Sequence, residues 1–104
     1  MATVNVTPLA ETDLEDIWTY IATHSIESAN RTIEDLMKTF NLLADNPALG
    51  RDKPELIVNV RSFPRKKYIV FYFPIANGVE IFRALHAARN IEDVFADYIE
   101  GLNE

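Results

Sequence analysis

The residues of this chain that are best suited to chemistry are the cations of its middle third. Residues 51–89 contain eight Lys or Arg and three acids, whereas residues 1–50 have a net charge of −6 and residues 90–104 a net charge of −5. Guanidinium and ammonium groups bind carboxylates and phosphates, so an anionic partner is expected to meet this basic block. The alternative is that these are solvated surface charges without a function. The block consists of Arg51, Lys53, Arg61, Arg65, Lys66, Lys67, Arg83 and Arg89.

Several kinds of active site are excluded by what the sequence lacks. With no cysteine, the chain has no disulfide, thiol nucleophile or thiolate metal site. The three glycines are isolated rather than grouped in a phosphate-binding loop, and the two histidines, His24 and His86, lack metal-ligand spacing. The acidic pairs at residues 15–16 and 34–35 are typical of solvated helix faces rather than of paired-carboxylate catalysis. We therefore expect neither a metal nor an organic cofactor.

Length and composition predict a single domain spanning residues 1–104. A chain of 104 residues that is 48% hydrophobic can bury a substantial core. No apolar run approaches the ~20 residues that span a bilayer, and no signal-peptide pattern is present, which predicts a cytoplasmic protein without a membrane partner. The net charge of −6 and the pI of about 4.8 argue against a general nucleic-acid binder, and no sequence-specific binding to nucleic acid is expected.

Hydrophobic periodicity predicts three amphipathic helices. The first begins after Thr7, which can cap it, and ends near His24. The second begins after the cap Ser25 and ends at Asn46, so these two helices form a hairpin with one apolar face. The third begins after Asn90 and closes the chain.

Alternating and continuous apolar runs predict four strands, with a loop over residues 46–56. Asn77-Gly78 predicts a tight hairpin between the last two strands. The fold class is therefore expected to be α+β with the order β-α-α-β-β-β-α: the helical hairpin packs on one face of a mostly antiparallel four-stranded sheet, and a C-terminal helix follows. The predicted strands are residues 2–7, 57–63, 68–73 and 79–85.

The sheet is expected to gather cations at one of its ends. Arg61 and Arg65 lie on either side of the turn between two predicted strands, and Arg89 follows the last strand. Arg83 lies among apolar neighbours on an interior strand, where an unpaired guanidinium is costly. It should either pair with a carboxylate, such as an acid of the first helix, or open to a groove. For His86 a scaffold role is favoured, and for Arg89 a role at a functional surface.

Five segments of the chain together resemble a known family. The run Arg83-Ala-Leu-His86-Ala-Ala-Arg89-Asn90 resembles the R-x-L-H-x-A-R-D/N signature of the ParE-type toxins of the RelE/ParE superfamily. The resemblance extends in order from about residue 4 to residue 95, and it implies the toxin of a type II toxin–antitoxin module that is bound and neutralised by a ParD-like antitoxin. The other four segments are Asp13-Leu-Glu-Asp-Ile-Trp18-Thr-Tyr-Ile21, Asn46-Pro-x-x-Gly50-Arg51, Arg61-Ser-Phe63-Pro64 and Tyr68-Ile-Val-Phe-Tyr72.

The resemblance implies one of two targets. ParE-type members typically poison DNA gyrase, whereas RelE-type members cut messenger RNA on the ribosome. The nuclease pattern often includes a C-terminal Tyr or His as an acid–base group, and it places Phe95 where a tyrosine is expected. Phe has no proton to transfer, which favours a gyrase inhibitor without catalytic residues, although Tyr98 keeps the nuclease alternative open.

The two alternatives use overlapping residues. For a gyrase inhibitor, the resemblance implies a cationic contact surface made by Arg61, Arg65, Arg83 and Arg89. For a ribonuclease, the catalytic residues would be Arg83, His86 and Arg89. A third alternative is a non-toxic relative that retains only antitoxin binding.

Overall fold

The three helices lie where the sequence predicts them, and each begins after its predicted cap. The computed structural model describes residues 2–103. Side-chain oxygens of Thr7, Ser25 and Asn90 each accept a hydrogen bond from a backbone N–H of the first helical turn. Within residues 2–103, none of the helices combines the length and the apolar character that a membrane crossing requires. The helices are α1 (Pro8–Ala22), α2 (Ile26–Asp45) and α3 (Ile91–Leu102).

The strands form one mixed sheet in the order β1-β5-β4-β3-β2. Strand β1 is parallel to β5, and the other pairings are antiparallel, so the predicted α+β fold class is confirmed. The sheet has five strands rather than the predicted four. The strands are β1 (Thr3–Val6), β2 (Arg51–Asp52), β3 (Arg61–Arg65), β4 (Tyr68–Ile75) and β5 (Gly78–His86).

Two of the predicted boundaries near the middle of the chain are wrong. The additional strand, β2, lies inside the predicted loop 46–56, and its two residues pair with Ser62 and Arg61 of β3. Two residues are too short to show an alternating pattern, so only the pairing with β3 reveals this strand. The predicted strand 57–63 begins only at Arg61, because residues 57–60 form a turn in which Asn59 has a φ of 73°.

Gly78 marks the hairpin between β4 and β5, although the turn is centred one residue before the predicted position. Ile75 pairs with Gly78, so Ala76 and Asn77 form the turn and Gly78 begins β5. Gly78 has a φ of 155°, and a Cβ there would lie 2.7 Å from the backbone nitrogen of Thr3. The glycine is therefore required by the close approach of β1 as well as by the turn.

The sheet is covered on both faces, as the continuous apolar run of β4 predicts. On one face, Leu36, Phe40 and Leu43 of α2 pack against buried side chains of β4 and β5. On the other face, Phe95 of α3 packs against Phe71, with ring centroids 4.9 Å apart. The helical hairpin and α3 therefore occupy opposite sides of the sheet.

Tyr72 tethers the loop after α2 to the centre of the sheet. Its ring is fully buried, and its hydroxyl donates a hydrogen bond to the Pro47 carbonyl over 2.7 Å. The same hydroxyl accepts a hydrogen bond from the Gly50 N–H over 2.8 Å. Burial raises the pKa of Tyr72, so the hydroxyl keeps the proton that it donates. A Cβ on Gly50 would lie 2.6 Å from the Tyr72 oxygen, which explains why glycine occupies this position.

Replacing Tyr72 with phenylalanine should therefore destabilise the protein. The variant leaves the buried Gly50 N–H without its acceptor, and such an orphaned donor costs about 1–3 kcal/mol. Urea unfolding measures the loss. The control is Tyr98→Phe, because the Tyr98 hydroxyl makes no side-chain hydrogen bond within residues 2–103, and its loss should be small. Equal effects of the two substitutions would contradict the assigned role of Tyr72.

Candidate functional site

The signature run of the sequence lies at the end of β5 that extends beyond β1. Here the edge of β5 has no strand partner from β1, and residues of the α1 segment cover it instead. The Thr7 hydroxyl donates a hydrogen bond to the Phe82 carbonyl over 2.9 Å, and the Ala84 N–H donates one to Asp13 over 3.0 Å. A register shift against β4 leaves Phe82 without a partner there. This irregular edge brings Arg83 next to α1.

Arg83 makes a bidentate ion pair with Asp13 of α1. Its Nε and Nη2 atoms donate to the two carboxylate oxygens over 2.7 and 2.8 Å. The side chains are 14% and 7% exposed, so the pair is largely withdrawn from water. The hydrogen bonds that Arg83 donates to Asp13 raise the pKa of Arg83 above its ordinary value, against the opposing effect of desolvation. Arg83 was expected either to pair with a carboxylate or to open to a groove. The structure shows the ion pair with an acid of the first helix.

Arg61 faces the loop that Tyr72 tethers. Its guanidinium donates to the Gly50 carbonyl over 2.6 Å and, at a longer 3.4 Å, to the Ala48 carbonyl. A cation that caps carbonyl groups in this way stabilises the loop conformation. One of the three guanidinium nitrogens of Arg61, Nη1, is thus used within the chain.

Arg65 is paired with Asp35 of α2 across the edge of the sheet. The Arg65 Nε atom donates to Asp35 Oδ2 over 2.8 Å, and a second bond joins Nη2 to Oδ1. The hydrogen bonds with Arg65 lower the pKa of the Asp35 carboxyl below its ordinary value of 3.8. The expectation that residues 34–35 form only a solvated helix face is therefore wrong for Asp35, because sequence spacing does not reveal a partner 30 residues away.

The Arg65–Asp35 pair should make stability depend on pH in the acid range. Because the pKa of Asp35 is lower in the folded chain than its ordinary value of 3.8, the pair stabilises the fold above that pH. The stabilisation is lost as the pH falls through the lower folded pKa. The midpoint of thermal unfolding of Asp35→Asn should therefore lie below that of the parent at pH 7 and converge with it in strong acid. Glu34→Gln is the control, and a difference that stays constant with pH would contradict the pairing.

His86 and Arg89 lie together where β5 leads into α3. His86 is exposed, its Nδ1 accepts a hydrogen bond from the Ala88 N–H over 3.0 Å, and its ring packs edge-on against Tyr68 at 5.5 Å. Arg89 is exposed and makes no side-chain hydrogen bond or ion pair within residues 2–103. Of the four arginines named as contact candidates, Arg89 is the one whose guanidinium is available to a partner in this part of the chain.

The two aromatic residues that bear on the nuclease alternative belong to α3, and both pack against the sheet. Phe95 is 2% exposed. The Tyr98 ring lies against Phe82, with centroids 4.9 Å apart. His86 lies four positions after Phe82 on β5, which corresponds to about 13 Å along a strand. Tyr98 therefore packs on the α3 side of the sheet, whereas His86 lines the cleft on the side of the helical hairpin.

Comparison with known proteins places the chain in a family. Residues 4–91 match the family model described as the ParE toxin of the type II toxin–antitoxin system parDE. The toxin ParE1 of Caulobacter vibrioides is 33% identical over 82 residues, which cover 78% of this chain and 84% of that protein. The chain belongs to the ParE toxin family. It is therefore the toxin of a type II toxin–antitoxin system, as the resemblance of its sequence implies.

The fold also matches that of a solved structure. A structure described as the chromosomal ParDE TA system from P. aeruginosa superimposes with a TM-score of 0.67. It shares 20% sequence identity with this ParE-family toxin, over 83% of this chain and 96% of that chain. The family match ends at residue 91, so it includes Asp13, Tyr72 and the signature run but not the body of α3.

Asp13 and Tyr72 are the residues of this site that the sequence left without an assigned role. Asp13 is an acid on the apolar side of α1, three residues after the buried Ala10 and one before Leu14. A carboxylate at a buried helical position is a signal that it needs a cation. Tyr72 carries no comparable signal, because a tyrosine in an apolar strand looks like any other core residue.

Proposed function

We propose that this ParE-family toxin inhibits DNA gyrase by binding it, and that a ParD-like antitoxin neutralises it. Family membership supports the first part, and the name of the P. aeruginosa system, which pairs ParD with ParE, supports the second. In this proposal the toxin acts as a protein ligand without bond-making chemistry of its own.

The observation that supports the proposal is that Arg83 and Phe95 are both engaged within the fold. Arg83 is engaged by Asp13, and Phe95 is buried at the position where the nuclease pattern has a tyrosine. Phosphodiester cleavage requires donors that neutralise the developing charge and a group that transfers a proton. Here Arg83 is already neutralised by Asp13 and Phe95 has no proton to transfer, which leaves Arg89 as an exposed cation for contact, so binding is favoured over cutting.

The four candidate contact residues then have three different roles. Arg89 is exposed on the turn after β5, and we assign it direct contact with the target. Arg83 holds the end of β5 from which that turn begins, so it acts as a positioning residue. Arg61 and Arg65 are held by the loop carbonyls and by Asp35, and the outer faces of their guanidiniums extend the cationic surface.

An apolar cleft beside α3 suits the antitoxin. It has a volume of about 480 Å³ and lies between the start of α1 and the end of α3. Leu102 is 65% exposed at its rim, and Leu9 and Ile99 are also exposed. Exposed apolar patches of this kind mark protein interfaces, and an antitoxin segment that folds on binding would cover them.

The proposal is tested by expressing the toxin in bacteria without its antitoxin. Growth should stop with cleaved chromosomal DNA and intact transcripts, and co-expression of the neighbouring antitoxin gene should restore growth. Arg89→Glu should weaken the arrest, whereas Arg51→Glu, which makes the same charge change on β2, should not. Normal growth would favour the non-toxic relative over the proposal.

The RelE-type ribonuclease is the second candidate, and it makes the opposite prediction. If Arg83, His86 and Arg89 cut messenger RNA, transcripts in a translation extract should break when the toxin is added. We expect them to remain intact. Cleavage that is lost in Arg89→Ala would replace the gyrase proposal with this one.

A further inference from the structure

A second cleft lies between the helical hairpin and the β3–β4 turn, and Arg65 and His86, which were named above for the proposed functions, are among the residues that line it. Its volume is about 710 Å³, within the range of sites that hold small ligands. It opens on the side of the sheet that carries the helical hairpin, whereas the apolar cleft lies on the other side, beside α3. The basic residues that line it come from α2 and from β3 with its turn, namely Arg31, Lys38, Arg65, Lys66 and Lys67.

The cleft is cationic although the chain as a whole carries a charge of −6. Of its two acids, Asp35 is used by Arg65, which leaves Glu34 against four further cations. Lys38 and Lys66 stand close enough to Asp35 that both contribute to lowering its pKa. Within residues 2–103, none of those four cations forms an ion pair. Converging cations of this kind focus a positive potential into a concave site.

Aromatic rings lie among these cations. Tyr20 of α1 is 73% exposed at the rim of the cleft, an unusual position for so large a ring. Tyr68 lines the cleft as well, and its pKa is raised by burial and, to a lesser extent, by the proximity of Tyr20. Proteins that hold single-stranded nucleic acid combine these two features, a basic groove along the backbone and exposed rings on which bases stack.

We propose that this cleft binds a short single-stranded nucleic acid. Arg31, Lys66 and Lys67 contact its phosphates, and one base stacks on Tyr20. The binding is not sequence-specific, because backbone charge and ring stacking carry no base readout. An acidic peptide would use the cations but not the exposed ring, which is why a nucleic acid fits the site better. This inference does not depend on gyrase being the target.

Fluorescence anisotropy of the purified full chain with a labelled oligothymidylate of about twelve nucleotides tests the proposal. Binding should be measurable at low salt and should weaken as salt rises, with a slope of log K against log salt of about −2 for three phosphate contacts. Arg31→Glu and Lys67→Glu should each weaken binding about fivefold or more and flatten that slope. Tyr20→Ala should weaken binding about tenfold, whereas Tyr20→Phe should bind like the parent.

Matched controls make each outcome decisive. Arg51→Glu carries the same charge change as Arg31→Glu but lies beside α3, and it should bind like the parent. Tyr20, Arg31, Lys67 and Arg51 are all exposed, so the variants can be compared directly as single surface substitutions, and circular dichroism checks that each variant is folded. Equal losses in Arg51→Glu and Arg31→Glu would show diffuse attraction and overturn the proposal, as would no binding at low salt.

Two competitors distinguish other anions from a nucleic acid. Oligoglutamate of similar length should compete poorly, and competition equal to that of the oligonucleotide would assign the cleft to an acidic protein instead. Inorganic phosphate should displace the oligonucleotide only at far higher concentration. Equal displacement together with an unchanged affinity of Tyr20→Ala would reduce the cleft to a simple anion site and overturn the proposal.

Discussion

Asp13→Ala is expected to lower the free energy of unfolding by about 3 kcal/mol or more, the largest loss for any exchange of a charged residue in this chain. The substitution leaves the Arg83 guanidinium, 14% exposed, without its carboxylate. It also removes the acceptor of the buried Ala84 N–H. An uncompensated charge and an orphaned donor in one place both oppose folding.

Chemical denaturation of Asp13→Ala beside Asp16→Ala measures this effect. Asp16 is an exposed acid of the same helix, and its loss should change stability by about 0.5 kcal/mol or less. The double variant Asp13→Leu with Arg83→Leu should recover part of the loss, because it leaves no unpaired charge. If Asp13→Ala and Asp16→Ala were equally stable, the ion pair would not hold the end of β5.

Phe95→Ala is expected to lower the free energy of unfolding by about 3 kcal/mol. Phe95 is 2% exposed, and its ring contacts Phe71 and Phe82 at centroid separations of 4.9 and 5.6 Å. Truncation to alanine removes these aromatic contacts and leaves a cavity under α3. The amide protons of α3 should then exchange with solvent faster than those of α2, because α3 loses its main anchor to the sheet.

The matched control on the same helix is Ile99→Ala. Ile99 is 40% exposed, so its truncation should cost much less than that of Phe95. Hydrogen exchange and urea unfolding of both variants separate local release of α3 from global unfolding. Unchanged stability and unchanged exchange in Phe95→Ala would contradict the role of Phe95 as the anchor of this helix.

The sequence predicted well those elements that are determined by neighbouring residues. The caps Thr7, Ser25 and Asn90 each lie within three residues of the donors they satisfy, so a local pattern was sufficient to find all three helix starts. The run from residue 68 was long and apolar enough to predict a strand buried on both faces.

Features made by distant pairs were harder to predict. Strand β2 exists because Arg51 lies opposite Ser62, and two residues show no period of their own. The choice of Asp13 as the partner of Arg83 depends on the edge of β5 beyond β1, a product of the whole topology. The tether from Tyr72 to Gly50 likewise joins residues 22 positions apart.

The candidate contact residues show the same limit. Sequence type alone cannot distinguish an arginine that is free for a partner from one that is already engaged. Of Arg61, Arg83 and Arg89, the structure engages the first two internally and leaves the third exposed. The basic block is therefore partly structural, and its remaining charge includes Arg89, Arg51 beside α3, and the lysines of the cleft beside α2.

Inhibition of gyrase by binding is tested by a supercoiling assay with purified gyrase, relaxed plasmid and ATP. Stoichiometric toxin should block supercoiling, Arg89→Glu should do so only weakly, and added antitoxin should restore activity. Full supercoiling in the presence of excess folded toxin would contradict such inhibition.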